Sequence, residues 1–146
     1  YLKTMDCCAI FETFDVKNTL LREYTRWKLA VRNRNTTLGN CVAITKRHIE
    51  KFSDITEEEM TEFTSLVKDI ENALTKAFSC NKINYLILMM VDNHLHVHII
   101  PRYAIPRQFA GVEWADEGWP KQPVTQKAAV AKEVLQKVRQ EIKKFL

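Results

Sequence analysis

Hydrophobic residues at spacings of three and four predict one long helix between Glu57 and Phe78. Its apolar stripe comprises Met60, Phe63, Val67, Ile70, Leu74 and Ala77. A stripe with this period is typical of an amphipathic helix that packs one face against a core. Thr56 followed by Glu59 forms a capping box, in which each side chain accepts a hydrogen bond from the other residue's backbone N–H. The pattern therefore places the start of this helix at Glu57.

Four short segments that are apolar or alternate between apolar and polar residues predict strands. They span residues 8–11, 26–31, 41–45 and 84–91. A polar run separates the second segment from the third, so we expect these two strands to pair antiparallel. The fourth segment is apolar throughout, which is typical of a strand buried on both faces at the centre of a sheet.

The C-terminal part of the chain combines a strand, a long connection and a helix. Residues 94–100 alternate histidine with aliphatic residues, and the short break at 92–93 predicts a hairpin with the preceding strand. Because proline lacks a backbone N–H, we expect Pro101 to end regular pairing. Residues 101–124 form a long irregular connection, which in a compact domain is usually functional. An amphipathic pattern that starts at Thr125, as the N-cap, predicts a second long helix.

Length and composition indicate one globular domain. The 146 residues are 46% hydrophobic and 27% charged, with only three glycines and four prolines. The formal charge of +4 is modest and much of it comes from lysines near the C-terminus, so we expect no nucleic acid partner. A small positive balance does favour anionic small molecules such as nucleotides.

The cysteines and the hydropathy of the chain predict a cytoplasmic protein. Four cysteines, at positions 7, 8, 41 and 80, lack the paired spacing of a disulfide framework, so we expect reduced thiols. No apolar run approaches the roughly 18 residues of a membrane span. No signal-peptide pattern occurs at the N-terminus, so we expect no membrane association and no secretion.

Three of the four histidines fall within five residues, at His94, His96 and His98. Because a β-strand turns successive side chains to opposite faces, the three imidazoles share one face and lie roughly 6–7 Å apart. Three kinds of site suit this arrangement: a metal site, a nucleophile with acid–base partners, or an anion pocket. Strict alternation with apolar residues argues against three histidines that serve packing alone.

The same segment resembles the signature of the histidine triad (HIT) superfamily of nucleotide hydrolases and transferases, which includes the diadenosine polyphosphate hydrolases. The signature alternates three histidines with apolar residues, and here it continues into Pro101-Arg102-Tyr103. Residues 39–56 contain an apolar strand, the basic run Lys46-Arg47-His48 and the start of a capped helix, and they resemble the upstream half of the family.

The resemblance implies an α+β fold with a roughly five-stranded antiparallel sheet and two main helices, the sheet being joined across a homodimer. It implies one HIT-like domain over residues 1–146, with a core at about 7–110 and a C-terminal loop and helix at 111–146. It also implies a hydrolase that acts at the α-phosphate of a nucleotide substrate. That substrate is either a dinucleoside polyphosphate or a nucleoside phosphoramidate, and the reaction requires no cofactor.

The resemblance also implies roles for the three histidines. By position, His96 is the nucleophile that forms a covalent nucleotidyl-histidine intermediate, His98 contacts the phosphate, and His94 holds its neighbours in orientation. The chemistry of imidazole supports these roles, because a neutral imidazole is nucleophilic near neutral pH without losing a proton.

Two asparagines are candidates for nucleotide binding. Asn33 matches a family asparagine near the ribose. The family's phosphate-binding stretch before the triad is shortened here, and Asn93 is the residue that remains suited to that role. Since the carboxylate of Asp92 would repel a phosphate, we expect it to face solvent.

Some relatives hold a structural zinc, and the corresponding residues here are Cys7, Cys8, His48 and His94. The two cysteines are adjacent, whereas the family pattern separates them by two residues. Adjacent cysteines rarely both reach one tetrahedral ion, so we expect no zinc and an exposed loop position for His48.

Several alternatives stay open at the level of sequence. The chain is either a hydrolase, a non-catalytic nucleotide-binding or interaction protein that retains the triad, or a hydrolase centred on a metal held by all three histidines. Arg102 either approaches a phosphate or pairs with an acidic residue such as Asp116. Trp114 and Trp119 either stack on a base or pack the long loop.

Overall fold

A five-stranded antiparallel sheet forms the centre of the computed structural model, which describes residues 8–125 and 127–146. Its strands are β1 (Leu20–Glu23), β2 (Trp27–Val31), β3 (Cys41–Thr45), β4 (Lys82–Leu86) and β5 (His96–Arg102). They lie in the order β1-β2-β3-β5-β4, and each neighbouring pair is antiparallel. The predicted α+β fold is therefore confirmed, and so is the antiparallel pairing of β2 with β3.

Two long helices and two short ones accompany the sheet in the part of the chain that the structure describes. They are α1 (Ile10–Thr13), α2 (Val16–Thr19), α3 (Glu57–Phe78) and α4 (Lys132–Lys143), with a 3₁₀ turn at Phe52–Asp54. Helix α3 has the predicted bounds and capping box: the N–H of Glu59 donates to Thr56 Oγ1 at 3.1 Å, and the N–H of Thr56 donates to Glu59 Oε1 at 2.8 Å. None of the described helices is long and apolar enough to cross a membrane.

The two faces of the sheet are covered differently. Helices α3 and α4 pack on one face, where Leu95, Val97 and Ile99 of the β5 region join the large core. The opposite face carries a small apolar cluster made of Ile10, Phe14, Val16, Ala30, Val42 and Ile44. Since side chains alternate along a strand, the histidines between Leu95 and Ile99 point to this second face.

The prediction of a central, doubly buried strand at 84–91 is wrong. Strand β4 ends at Leu86 and lies at the edge of the sheet. Of the apolar residues that follow, Ile87, Leu88, Met90 and Val91 are exposed, Val91 fully so, and Met89 is partly buried. An apolar run has the same composition in a buried strand as at an exposed edge, so the sequence pattern alone did not distinguish the two.

Three other boundaries differ from expectation. Residues 8–11 are not a strand but a turn that leads into α1. Pro101 does not end pairing, because it lies opposite Ile83 inside the β5–β4 ladder, which continues to Arg102. The connection at 101–124 is partly regular, since β6 (Arg107–Phe109) pairs with β7 (Val112–Trp114).

The C-terminal helix begins later than predicted. Helix α4 starts at Lys132, and its N-cap Ala131 makes no side-chain cap hydrogen bond. Thr125 therefore does not cap the helix, although its hydroxyl is of the type that usually does. Its backbone carbonyl instead accepts a hydrogen bond from Arg32 Nη1 at 3.4 Å.

Candidate active site

The triad lies at the start of β5 on the face that α3 and α4 leave uncovered. His96 is opposite Ile44 and His98 is opposite Val42 on strand β3, while His94 precedes the strand. His94 and His96 are buried, with side-chain exposures of 1% and 5%, and His98 is partly buried. Strand alternation places His96 and His98 on the same face, whereas His94 lies before the strand and does not line the cleft with them.

The hydrogen bonds of His96 define its tautomer. His96 Nδ1 lies 2.7 Å from the backbone carbonyl oxygen of His94. A carbonyl can only accept, so Nδ1 carries the hydrogen and Nε2 of the neutral ring carries the lone pair. Phe14 packs beside the ring with 5.7 Å between centroids, which limits the orientations open to the imidazole.

His94 belongs to a hydrogen-bonded chain that continues through His48 to Glu50. His94 Nε2 lies 2.7 Å from the carbonyl oxygen of Thr45, so Nε2 is the donor. His94 Nδ1 faces His48 Nδ1 at 3.2 Å, and His48 Nε2 lies 2.6 Å from the Glu50 carboxylate. Burial lowers the pKa of His94 and keeps its ring neutral. A hydrogen bond between the two Nδ1 atoms therefore requires His48 Nδ1 to be the donor.

His98 has a different environment. Burial, with smaller electrostatic contributions from Arg32 and His96, lowers the pKa of His98 to about 3. The ring is consequently neutral at physiological pH. Its Nδ1 is buried and has no hydrogen-bond partner among the residues that the structure describes.

A cleft of about 470 Å³ opens onto His96 and His98. The polar residues that line it, besides the two histidines, are Thr13, Arg32, Asn33, Arg34, Thr36, Asp92 and Thr125. The apolar residues that line it are Phe14, Leu86, Leu88, Met90, Val91 and Ile100. A concave site with a mixed polar and apolar lining suits a ligand that carries both a charged group and a flat apolar ring.

The structure brings one of the two predicted asparagines into this cleft. Asn33 lines it, and its Nδ2 donates to the carbonyl oxygen of Thr13 at 3.4 Å. Asn93 is exposed and is not among the lining residues. Asp92, which was expected to face solvent, lines the cleft instead, because its Oδ1 accepts the backbone N–H of His94 at 3.2 Å.

The predicted zinc ligands come together only in part. His48 lies in a loop, as expected, but it is only partly exposed and contacts His94, and Cys7 lies outside the described residues. Within residues 8–125 and 127–146 no three histidine, cysteine or acidic side chains are arranged to hold a metal. A tetrahedral zinc needs four ligands, so the described residues do not fit a zinc site.

Arg102 and the tryptophans of the long connection stabilise that segment. Arg102 Nε donates to Asp116 Oδ2 at 2.7 Å, and both side chains are almost fully buried. Trp114 is buried and its Nε1 donates to the carbonyl oxygen of Phe109. The pairing alternative is therefore confirmed for Arg102, as is the packing alternative for Trp114, whereas Trp119 is 37% exposed.

Sequence reasoning missed Arg32 and Phe14 as residues of the cleft. Phe14 follows a segment that was interpreted as a strand, so its place beside the triad was hidden. A signal for Arg32 was present: Leu29 and Val31 are apolar and Arg32 is the next residue on the opposite face of the strand. Counting the alternation one residue beyond β2 places Arg32 on the histidine face.

Comparison with known proteins agrees with this geometry. The family model described as "HIT domain" matches residues 16–105. A histidine triad protein from Sinorhizobium meliloti superposes with a TM-score of 0.72 at 19% identity, covering 90% of this chain and 93% of that one. At this level of identity the superposition establishes a common fold.

Two curated relatives come from Schizosaccharomyces pombe. One is an asymmetrical bis(5′-nucleosyl)-tetraphosphatase, 33% identical over 69 residues, or 44% of this chain and 38% of the relative. The other is an adenosine 5′-monophosphoramidase, 26% identical over 107 residues, or 71% of this chain and 76% of the relative. The chain thus spans well under half the length of the first relative and about three quarters of the second.

Proposed function

Because the chain belongs to the HIT domain family, as the match over residues 16–105 shows, we propose that it is a nucleotide hydrolase that acts at the α-phosphate of its substrate. The observation that carries the proposal is the hydrogen bond from His96 Nδ1 to the carbonyl oxygen of His94. This bond leaves the lone pair on Nε2 of a residue that lines the cleft. His96 is then the nucleophile.

The proposed reaction has two steps. The Nε2 lone pair of His96 forms a bond to the α-phosphorus, and the bond from phosphorus to the leaving oxygen or nitrogen breaks with its electron pair. A leaving nitrogen takes up a proton from solvent as it departs. The resulting imidazolium keeps its Nδ1 hydrogen on the carbonyl of His94, which stabilises the positive charge. Water then attacks phosphorus, the N–P bond breaks, its electron pair returns to Nε2, and the proton of the water is released.

The neighbouring residues take supporting roles in this scheme. His98, neutral at physiological pH, donates its N–H to a phosphoryl oxygen. His94, held by Thr45 and His48, keeps the carbonyl that fixes His96 in place. Asn33 contacts the ribose, and its position in the cleft supports that role. A phosphate contact by Asn93 stays a prediction. No step uses a metal or another cofactor.

Two observations support a substrate class: the mixed polar and apolar lining of the cleft, and the names of the relatives. A tetraphosphatase and a phosphoramidase are both similar to this chain, and both names describe nucleotides cleaved at phosphorus. We therefore propose a dinucleoside polyphosphate or a nucleoside phosphoramidate as substrate. The alternative is a protein that binds a nucleotide through the same cleft without cleaving it.

We also propose a homodimer in the cytoplasm. Strand β4 is an edge strand, and exposed apolar residues follow it at Leu88, Met90 and Val91. An edge strand with an apolar neighbourhood is suited to pairing with a second copy. Cys41 and Cys80 form no disulfide, which is consistent with a reducing compartment.

The proposed hydrolase is tested by incubating the protein with diadenosine tetraphosphate and, separately, with adenosine 5′-phosphoramidate. Release of AMP is measured, and the protein is denatured in alkali, which preserves an N–P bond, before its mass is determined. We expect turnover of at least one substrate and a mass increase of one nucleotidyl group, which is absent from His96→Asn. Nucleotide binding without product or adduct would contradict hydrolysis and favour the binding protein.

A further inference from the structure

Arg32 is a cation without an acidic partner in the candidate active site. None of the ion pairs in residues 8–125 and 127–146 includes it. Burial, and to a smaller extent the nearby charge of Arg34, lowers the pKa of Arg32, yet arginine remains protonated in proteins. Removing a cation from water without a counter-charge is costly. A bound anion would remove that cost.

Arg32 directly follows β2, and its side chain lies on the same face of the sheet as His96 and His98. Leu29 and Val31 belong to the large core and Ala30 to the small cluster on the opposite face. Arg32 continues the alternation on the side of Ala30. Its backbone N–H donates to the carbonyl oxygen of Asn40 at 2.8 Å, immediately before β3.

This position is one step beyond His98. Val42 lies between Ala30 on β2 and His98 on β5, so these three residues form one row across the sheet. Arg32 and Asn40 begin the next row in the direction away from His96. Arg32 and His98 both line the cleft, so a ligand at His96 that extends past His98 meets the guanidinium.

The same part of the site holds buried polar atoms without partners. In the described part of the chain these are Arg32 Nε, Asn40 Oδ1 and His98 Nδ1. The side-chain hydrogen bond that Arg32 makes, from Nη1 to the Thr125 carbonyl, is long at 3.4 Å. Buried polar groups in proteins are nearly always paired. Of these residues Arg32 and His98 line the cleft, so their two unpaired atoms mark the place where a ligand would complete the hydrogen bonding.

The backbone around Arg32 is held firmly. Asn35 Nδ2 donates to the carbonyls of Arg32 and Asn40, and Asn35 Oδ1 accepts the N–H of Gly39 at 3.0 Å. Gly39 has a φ of +86°, a conformation that favours glycine. The loop thus presents the guanidinium from a fixed backbone, which limits the entropy lost when an anion binds.

We propose that Arg32 binds a second phosphate of the substrate, beside the α-phosphate that His96 attacks; this inference rests on the proposed hydrolase function. The planar guanidinium donates to two phosphate oxygens at once, which suits it better than a lysine for this task. The second phosphate belongs either to the polyphosphate chain beyond the α-phosphorus or to an ester on the ribose. A nucleoside monophosphate has neither group.

The test measures binding separately from catalysis. In a His96→Asn background, AMP, ATP and adenosine 3′,5′-bisphosphate are titrated by calorimetry against protein with and without Arg32→Met. We expect the substitution to weaken one of the two larger ligands by about 10-fold or more and AMP by less than about 3-fold. Arg22→Met is the matched control, because it removes an exposed cation of β1 that does not line the cleft.

Each outcome of the titrations has a definite meaning. A loss confined to ATP assigns Arg32 to the polyphosphate chain, and a loss confined to the bisphosphate assigns it to the ribose phosphate. Equal changes for all three ligands, or no change beyond that of Arg22→Met, overturn the proposal. If Arg32→Met does not fold, Arg32→Lys, which keeps the charge but not the planar fork, is expected to weaken the same ligand to a smaller degree. If the protein that retains His96 turns over neither substrate, the proposed hydrolase function is contradicted. The ligand-specific effect of Arg32→Met on binding would remain, so the two failures are distinguishable.

Discussion

The two ends of the histidine triad differ in how completely their hydrogen bonds are satisfied. At His94 both ring nitrogens have partners, and the chain of contacts continues through His48 to the carboxylate of Glu50. At His98 the buried Nδ1 has no partner in the described residues, and the nearby Arg32 has no acidic partner. The triad therefore has one end, at His94, where the hydrogen bonds of the ring are satisfied, and we call it the saturated end. At the other end, at His98, a ring nitrogen lacks a partner, and we call it the unsaturated end.

We infer from this difference that the histidines at the two ends have different roles, positioning at His94 and ligand binding at His98. Groups at the saturated end are positioned before a substrate arrives, and they orient His96 through the carbonyl of His94. Groups at the unsaturated end gain hydrogen bonds only when a ligand supplies them. We therefore expect substitutions at the first end to affect stability and positioning, and substitutions at the second end to affect ligand binding.

His96 connects the two ends, and its replacement should have the largest effect. His96→Asn removes the nitrogen that attacks phosphorus, so we expect kcat to fall by about 10³-fold or more. The dissociation constant for AMP should change by less than about 3-fold, because Asn33 and His98 remain in the cleft. Single-turnover kinetics and calorimetry separate the two quantities. A variant that retains wild-type kcat would contradict nucleophilic catalysis by His96.

Replacing the two outer histidines compares the ends directly through stability. His94→Ala leaves the Thr45 carbonyl and His48 Nδ1 without their partner in a buried site, so we expect a loss of about 2–4 kcal/mol in the free energy of unfolding. His98→Ala removes a ring that is only partly buried and lacks one partner, and the loss should be smaller by about 1.5 kcal/mol or more. Urea unfolding at pH 7 measures both. Equal losses would remove the distinction between the ends.

The saturated end was less visible in the sequence than the triad itself. Alternation at 94–98 was sufficient to place three histidines on one face, and the capping box at Thr56 fixed the start of α3, because both depend on local periodicity. The contact of His48 with His94 joins residues 46 positions apart. Local patterns contain no information about such a pairing, so His48 was interpreted as an exposed loop residue.

The prediction of a central strand at residues 84–91 was wrong for a related reason. Residues 84–91 have the apolar composition of a buried strand, but Leu86 is the last residue of β4 and most of the following side chains are exposed. Whether an apolar strand is central or at an edge depends on which strands pair with it, which is a property of the whole sheet. The place of Asp92 in the cleft depends on the same long-range arrangement.

The low pKa of His98 predicts a pH dependence that distinguishes the ends further. Its folded-state pKa of about 3 lies below the ordinary 6.5, so between these values the unfolded chain binds a proton that the folded protein does not. Stability therefore falls as the pH falls through this window, by at most about 1.4 kcal/mol per pH unit. Between pH 7 and pH 5 we expect wild type to lose about 1–2 kcal/mol more than His98→Asn.

The comparison with His98→Asn isolates this one residue. The pKa of His94 is also lowered by burial, and it contributes with the same sign to both proteins, so it cancels in the difference. Asp116 and Glu59, whose pKa values are held low in the folded protein, cancel in the same way. Parallel stability profiles for wild type and His98→Asn from pH 7 to pH 5 would contradict the lowered pKa of His98 in the folded protein.

The smallest effect is expected at the outer limit of the saturated end, at Glu50. Its carboxylate contacts His48 Nε2 at 2.6 Å, but the Glu50 side chain is 56% exposed, so water competes for the interaction. Glu50→Gln replaces the charged partner with a neutral one and weakens the preference of His48 for donating to His94. We expect kcat to fall by about 2–5-fold with KM nearly unchanged, since positioning of His96 is affected and the cleft is not. Glu50→Asp, which keeps the charge, should recover part of the loss, whereas Glu113→Gln on β7 should have no effect. If Glu50→Asp lowers kcat as much as Glu50→Gln does, Glu50 has a role in folding alone. The hydrogen-bonded chain that positions His96 would then end at His48.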